Sequence, residues 1–240
     1  MKNTKPKSLS IIIPAYNEEK TIKACIQKVK EAKAYGLKKQ IIIVDDGSSD
    51  KTGKISESLP GITVISHKEN KGKGAAIKSG LHNASGDIIL IQDADLEYNP
   101  DQYRLLLEPI MSGNADVVYG SRFFTHRPHR VLYFWHTVGN KALTLFSNML
   151  TDFNLTDMET GYKVFRKEVI KEILPKLKSN RFGFEPEVTA RIAKLAKKDG
   201  IRIYEVGISY FGRTYKEGKK INWKDGLKAF WEVAKYNLFD

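Results

Sequence analysis

The chain predicts an α/β protein with a mostly parallel central sheet flanked by helices, and two observations predict it. Short apolar runs of strand length alternate with longer helical stretches through the first half of the 240 residues, the pattern of repeated βαβ units. Three of those runs end in acidic turns: Pro14-Ala15-Tyr16-Asn17-Glu18, then Asp45-Asp46-Gly47-Ser48-Ser49-Asp50, then Gln92-Asp93-Ala94-Asp95-Leu96-Glu97. Parallel strands present their carboxyl ends along one edge, so these turns should converge on the crevice where such sheets bind ligands.

Leu9 to Ile13 is a β-branched strand that Pro14 should stop, and Asn17 predicts an N-cap for a helix over roughly residues 18–34. Gln40 to Val44 is the second strand, with Ser and Asp residues after it able to cap the next helix. Ile62 to Ile65 reads as a third strand. Lys71-Gly72-Lys73-Gly74 lacks the spacing and the closing Lys-Ser/Thr of a Walker loop, so it reads as a tight turn before a helix over about 75–83. Asp87 to Ile91 is the fourth strand, Pro100 opens a helix, and Ala115 to Tyr119 is the fifth strand.

The second half is less regular. Trp135, Val138, Ala142, Leu145, Phe146 and Met149 recur at helical spacing. His136, Asn140 and Lys141 interrupt that stretch, so it predicts a packed helix rather than a membrane span. Asp157 to Phe165 reads as a loop entering a strand, Lys167–Leu177 and Glu185–Lys198 as helices, and Ile201–Ile208 as a strand. Gly212–Lys220 is a basic loop with glycines, and Trp223–Phe239 is amphipathic and aromatic. With no repeat, low-complexity tract or linker, residues 1–240 predict a single domain with 221–240 as an amphipathic C-terminal extension.

Composition narrows the function. At 41% hydrophobic residues the chain can bury a core, and its formal charge of +12 calls for an anionic partner. Lysines are spread along the whole chain and no nucleic-acid recognition module is visible, which argues against nucleic acid. A basic nucleotide- or nucleic-acid-binding protein without chemistry is the alternative outside enzymology. The single cysteine, Cys25, excludes an internal disulfide and fits a reducing compartment. Met1 to Ser10 is polar and basic, and no run of 18 or more apolar residues occurs. Together these predict a cytoplasmic protein.

The acidic turn after the fourth strand suggests a metal. Alternate residues of an extended chain share a face, so Asp93, Asp95 and Glu97 should project together. Three hard oxygen donors suit Mg2+ or Mn2+, cations that usually carry substrate phosphates as further ligands.

Taken in order, Ile13 to Glu18, Val44 to Asp50, Asn70 to Gly74, Gln92 to Asp95, Gly120-Ser121-Arg122 and Asp157 to Phe165 resemble glycosyltransferase family 2. The likeness runs from about Leu9 to Lys220 and is to the branch of polyprenyl- and dolichyl-phosphate mannosyl- and glucosyltransferases. It implies the Rossmann-like nucleotide-diphospho-sugar transferase (GT-A) fold. It implies that Pro14, Ala15, Tyr16 and Glu18 line a nucleoside pocket, with Asp46 and Asp45 on base or ribose. Asp93, Ala94 and Asp95 match the family's metal and donor motif, with Glu97 as a third ligand, and Arg213 and Lys219 match a basic pair closing over the donor diphosphate. Asp95 and Arg122 would be the catalytic residues.

The resemblance further implies inversion at the anomeric carbon by single displacement. A lipid phosphate acceptor is already anionic near neutral pH and needs positioning rather than a base. Arg122 is the best holder for it, since guanidinium binds phosphate bidentately, with Arg127, Arg130 and His136 as helpers. A hydroxyl acceptor would need a general base: Asp157 or Glu159, more weakly Glu185 or Glu187. The stretch from Asp157 to Gly161 departs from the mannosyltransferase pattern toward glucosyltransferases, leaving GDP-mannose and UDP-glucose types of donor open. The expected partners are a nucleotide-sugar, a polyprenyl phosphate, the cytoplasmic membrane face bound peripherally through Val131–Trp135 and Trp223–Phe239, and a membrane-anchoring protein.

Overall fold

The computed structural model describes residues 5–124, 130–131, 133–214 and 223–240. Its seven-stranded sheet has β1 (Ser8–Ala15) near the middle, paired in parallel with β2 (Lys38–Asp45) on one side and β4 (Ile88–Ile91) on the other. Beyond β2 lies β3 (Thr63–Ser66), also parallel. Beyond β4 lies β6 (Lys163–Arg166), antiparallel to both β4 and β5 (Val117–Ser121), and β7 (Ile203–Gly207) closes the sheet parallel to β5.

Alternation along β1 decides the layers. Ile11 and Ile13 point to a core with Cys25, Ile26 and Val29 of α1 (Ile22–Glu31) and with Leu106, Leu107 and Ile110 of α4 (Tyr103–Met111). Ile12 points the other way, onto Ile77 and Leu81 of α3 (Lys73–Asn83). The same second core takes in Val169 and Ile170 of α6 (Lys167–Ile173) and Phe184, Val188 and Ile192 of α7 (Phe184–Asp199). Each fully buried Ile or Leu contributes about 1.5–3 kcal/mol relative to exposure. The short α2 (Thr52–Glu57) packs beside α1, while α5 (Phe134–Thr151) and α8 (Trp223–Ala234) pair at one end of the molecule.

Two local expectations fail for physical reasons. Pro14 does not stop β1, which runs on through Ala15 with Pro14 opposite Val44. The Ile12 carbonyl faces β4 and accepts the Gln92 N–H, so two residues later the missing proline N–H faces a side where β4 has already ended. Asn17 is not a helix cap either. It sits at φ 53° and α1 starts at Ile22. Its Oδ1 accepts the Ser49 N–H at 2.9 Å and its own N–H donates to Ser48 Oγ at 3.0 Å, lacing the first acidic turn to the second.

The C-terminal segment is tied to the body. Val233 and Tyr236 are buried, and Asp240 pairs with Arg191 of α7 at 2.8 Å. The reversed strand matters most for function. Because β6 runs against its neighbours, the segment leading into it, residues 157–162, lies at the edge where β1, β2, β4, β5 and β7 end.

Candidate active site

A cavity of about 880 Å³ opens at that edge. Pro14, Ala15, Tyr16 and Glu18 face it from the end of β1, and Asp46 faces it from the end of β2. Asp46 already has a full set of partners. Its Oδ1 accepts the Lys71 N–H at 3.0 Å and lies 2.6 Å from His67 Nδ1, while Oδ2 accepts the Gly72 N–H at 2.7 Å and Asn70 Nδ2 at 3.0 Å. It therefore shapes this end of the cavity by fixing the 70–72 loop, where Gly72 takes φ 102°. Asp45 is not among the cavity-facing residues; its Oδ1 accepts the Ser48 N–H and hydroxyl and closes the turn.

The acidic turn gathers its carboxylates by folding rather than by extension. β4 ends at Ile91, Leu96 adopts φ 64°, and the Glu97 N–H donates back to Asp95 Oδ1 at 3.1 Å. Asp93 is gripped by Lys73, whose Nζ lies 2.9 Å from Asp93 and 3.2 Å from Glu185. The Gly161 backbone presses so closely on Asp93 Oδ2 that a side chain there would collide with it. Arg213 sits over the other acids, 3.0 Å from Glu18, 3.2 Å from Asp95 and 3.7 Å from Glu97. Glu97 also accepts the Tyr210 hydroxyl at 2.8 Å and the Arg213 N–H at 2.7 Å.

Burial, then the neighbouring Asp93 and Glu97 charges, push the Asp95 carboxyl up to about 7 even with Arg213 beside it. The carboxylate oxygens of Asp93 and Asp95 are hard donors of the kind that Mg2+ or Mn2+ takes. No three acidic, His or Cys groups among the described residues close around one point. A metal on Asp93 and Asp95 would thus depend on ligands from a bound phosphate.

Arg122, which also lines the cavity, follows β5 and meets Asp157 in a two-pronged pair, Nε to Oδ2 at 2.6 Å and Nη2 to Oδ1 at 2.7 Å. The Arg122 N–H adds a third bond to Asp157 at 3.0 Å, and the guanidinium lies over the Tyr210 ring at 5.2 Å. Asp157 is fully buried and committed to this pair. Glu187 and Glu185 are committed too: Glu187 accepts the N–H groups of Lys178 and Ser179, and Glu185 holds Lys73. Glu159 differs. It faces the cavity, and its buried Oε1 accepts no hydrogen bond among the described residues. Burial and then repulsion from Glu185 raise its carboxyl to about 8, and burial lowers the Lys163 ammonium to about 8.

His136 faces the cavity. Arg130 is not brought to it; its Nη1 donates to the Gly212 carbonyl at 3.1 Å and its N–H to the Tyr210 carbonyl at 3.0 Å. Lys219 and Arg127 lie outside the described residues. Four further cavity residues carried little sequence signal: Lys73, Tyr98, Arg181 and Tyr210. Lys73 lies in a glycine motif that reads as a tight turn and names no role for its side chain. Tyr98, whose hydroxyl accepts the Gly161 N–H at 2.9 Å, is packed between Tyr162 and Tyr210, and such stacking follows from tertiary placement alone.

The profile of glycosyl transferase family 2 matches residues 10–174. The UDP-N-acetylglucosamine–dolichyl-phosphate N-acetylglucosaminyltransferase of Methanococcus voltae is 30% identical over 246 residues, covering 95% of this chain and 95% of that protein. The undecaprenyl-phosphate mannosyltransferase of Micrococcus luteus is 30% identical over 250 residues, covering 95% and 97%. Among solved structures, glucosyl-3-phosphoglycerate synthase from Mycobacterium tuberculosis, in complex with Mn2+, UDP and phosphoglyceric acid, superposes with a TM-score of 0.73 at 20% identity. That match covers 98% of this chain and 80% of the other and shows the fold to be GT-A. The chain therefore belongs to glycosyl transferase family 2, and the protein is a glycosyltransferase.

Proposed function

We propose that the protein transfers a hexose from a nucleotide-sugar to a polyprenyl phosphate with inversion at the anomeric carbon. The observation that carries this reading is the commitment of Asp157 to Arg122 at the cavity wall. The guanidinium edge left over, including Nη1, makes no hydrogen bond to a described residue and suits a phosphate. The same pair commits Asp157, one of the two candidate bases, and burial keeps the other, Glu159, protonated near neutral pH, so a nucleophile that is already anionic fits the site better than a hydroxyl. The named relatives, which use dolichyl and undecaprenyl phosphate, agree with this acceptor.

In this reading the nucleoside end of the donor lies along Pro14 to Glu18 and the loop fixed by Asp46. Asp93 and Asp95 would hold Mg2+ or Mn2+, which when bound neutralises charge on the diphosphate. Arg213 now pairs with the acids that a metal would bind or border, so donor and metal binding would release its guanidinium toward the diphosphate oxygens. Lys73 and Glu185 keep Asp93 in place. Arg122 holds the acceptor phosphate on the far side of the sugar, placed for in-line attack, and supplies orientation rather than proton transfer.

Among the described residues no helix is long and apolar enough to cross a membrane. Phe134 and Trp135 of α5 are 69% and 78% exposed, and Leu227 and Trp231 of α8 are 63% and 61% exposed. Trp135 and Leu227 also face the cavity. This apolar end would take the polyprenyl chain and rest on the cytoplasmic membrane face, helped by the net basic charge.

The test is to incubate the protein with Mn2+ or Mg2+ and labelled GDP-mannose, UDP-glucose or UDP-N-acetylglucosamine, with and without polyprenyl phosphate. Label should enter the organic phase only when the lipid phosphate is present, and Asp95→Ala or Arg122→Ala should abolish it. Lipid-independent transfer to a saccharide would overturn the acceptor assignment.

A further inference from the structure

Glu159 is a cavity-facing carboxyl that neither the donor diphosphate nor the acceptor phosphate requires. Two residues before it, Asp157 holds Arg122 on the acceptor side. Two residues after it, Gly161 lies against Asp93 on the donor side. Glu159 thus sits on the strip of backbone joining the two ends of the reaction, and it faces the same cavity as both. Its Oε1 is buried and accepts no hydrogen bond among the described residues. A buried polar atom without a partner is costly to keep, and here a bound ligand would satisfy it.

Resting on the transferase reading above, we propose that Glu159 reads the transferred sugar, with Oε1 hydrogen-bonded to a ring hydroxyl of the donor's hexose. The sugar must lie between the diphosphate, near Asp93 and Asp95, and the acceptor phosphate at Arg122. Its hydroxyls are the neutral polar groups that would reach this wall. The protonated carboxyl offers an acceptor and an O–H donor, so it can match a hydroxyl without placing another anion beside the diphosphate. A site built to pair with a hydroxyl at one ring position discriminates strongly against sugars that present it elsewhere. Glu159 is then a specificity residue rather than a base.

The experiment is calorimetry with Mn2+ present, comparing UDP with UDP-glucose and GDP with GDP-mannose, on wild type, Glu159→Gln and Glu159→Ala. The nucleoside diphosphate should bind all three alike. The nucleotide-sugar that the wild type prefers should bind Glu159→Ala about tenfold more weakly, the loss of about one hydrogen bond. Glu159→Gln, which keeps a donor and an acceptor, should restore most of that affinity. Discrimination between UDP-glucose and UDP-galactose, or between GDP-mannose and GDP-glucose, should narrow in Glu159→Ala. Equal nucleotide-sugar affinity and unchanged discrimination in Glu159→Ala would overturn the proposal and leave the transferase reading standing. So would a Glu159→Gln variant with normal donor affinity and a hundredfold lower kcat, which would make the residue a base. A wild type that binds neither nucleoside diphosphate nor nucleotide-sugar would overturn both.

Discussion

Arg122 and Asp157 are the residues whose pairing bears most directly on mechanism. Both are withdrawn from solvent, so removing one partner strands the other's charge. Asp157→Asn should lower unfolding stability by about 3–5 kcal/mol, read as a drop in denaturant midpoint, along with activity. A variant that kept full stability and lost only kcat would instead restore Asp157 as a base. Arg122→Lys should cost at least about tenfold in kcat/KM, because an ammonium cannot hold Asp157 and a phosphate through two planar edges at once.

Glu159 makes a pH prediction of its own. Its carboxyl stands near 4.5 when unperturbed and about 8 in the fold. The folded chain therefore keeps a proton that the unfolded chain releases, and stability from this group is present below 4.5 and falls as pH rises to about 8. Denaturant titrations of Glu159→Gln should lack that share of the decline. Parallel pH profiles for mutant and wild type would contradict the assignment.

At the level of elements, the apolar runs announced the strands because β-branched residues buried on both faces need no alternation. The acidic turns were legible for a related reason, since parallel strands end together. What stayed hidden depended on neighbours in space. Pro14 reads as a strand breaker until β4 is seen to stop short of it. β6 runs antiparallel, and nothing within Lys163–Arg166 encodes that direction, yet it brings Asp157, Glu159 and Gly161 to the site. The link from Lys73 to Asp93 and Glu185 joins α3, the β4 turn and α7, which no local pattern connects. Of the aromatic segments, Phe134 and Trp135 on α5 and Leu227 and Trp231 on α8 are exposed, and the two helices pack together through Phe146 and Phe230 at 5.8 Å. Replacing Trp135 and Trp231 together by Glu should reduce flotation with anionic liposomes containing polyprenyl phosphate while leaving nucleotide affinity intact. Undiminished flotation would move the membrane contact elsewhere.

For the whole molecule, we propose a basic, cation-assisted transferase whose cavity takes both the donor diphosphate and the acceptor phosphate. A formal charge of +12 suits both an anionic donor and an anionic surface, and binding to anionic vesicles should weaken as salt rises. Cys25, the sole cysteine, is buried in the core beside the site, and its thiol is pushed up to about 12 by burial and by the nearby carboxylates. It serves packing rather than chemistry. In the proposed reaction the acceptor is recognised as a phosphate and attacks without a protein base. It is tested most directly by offering polyprenyl phosphate and the matching polyprenol side by side, at equal concentration, with metal and the preferred donor. Sugar should pass to the phosphate, and none above background to the alcohol. Transfer to polyprenol at a comparable rate would contradict it, since that acceptor offers Arg122 no anion and must lose a proton to a base.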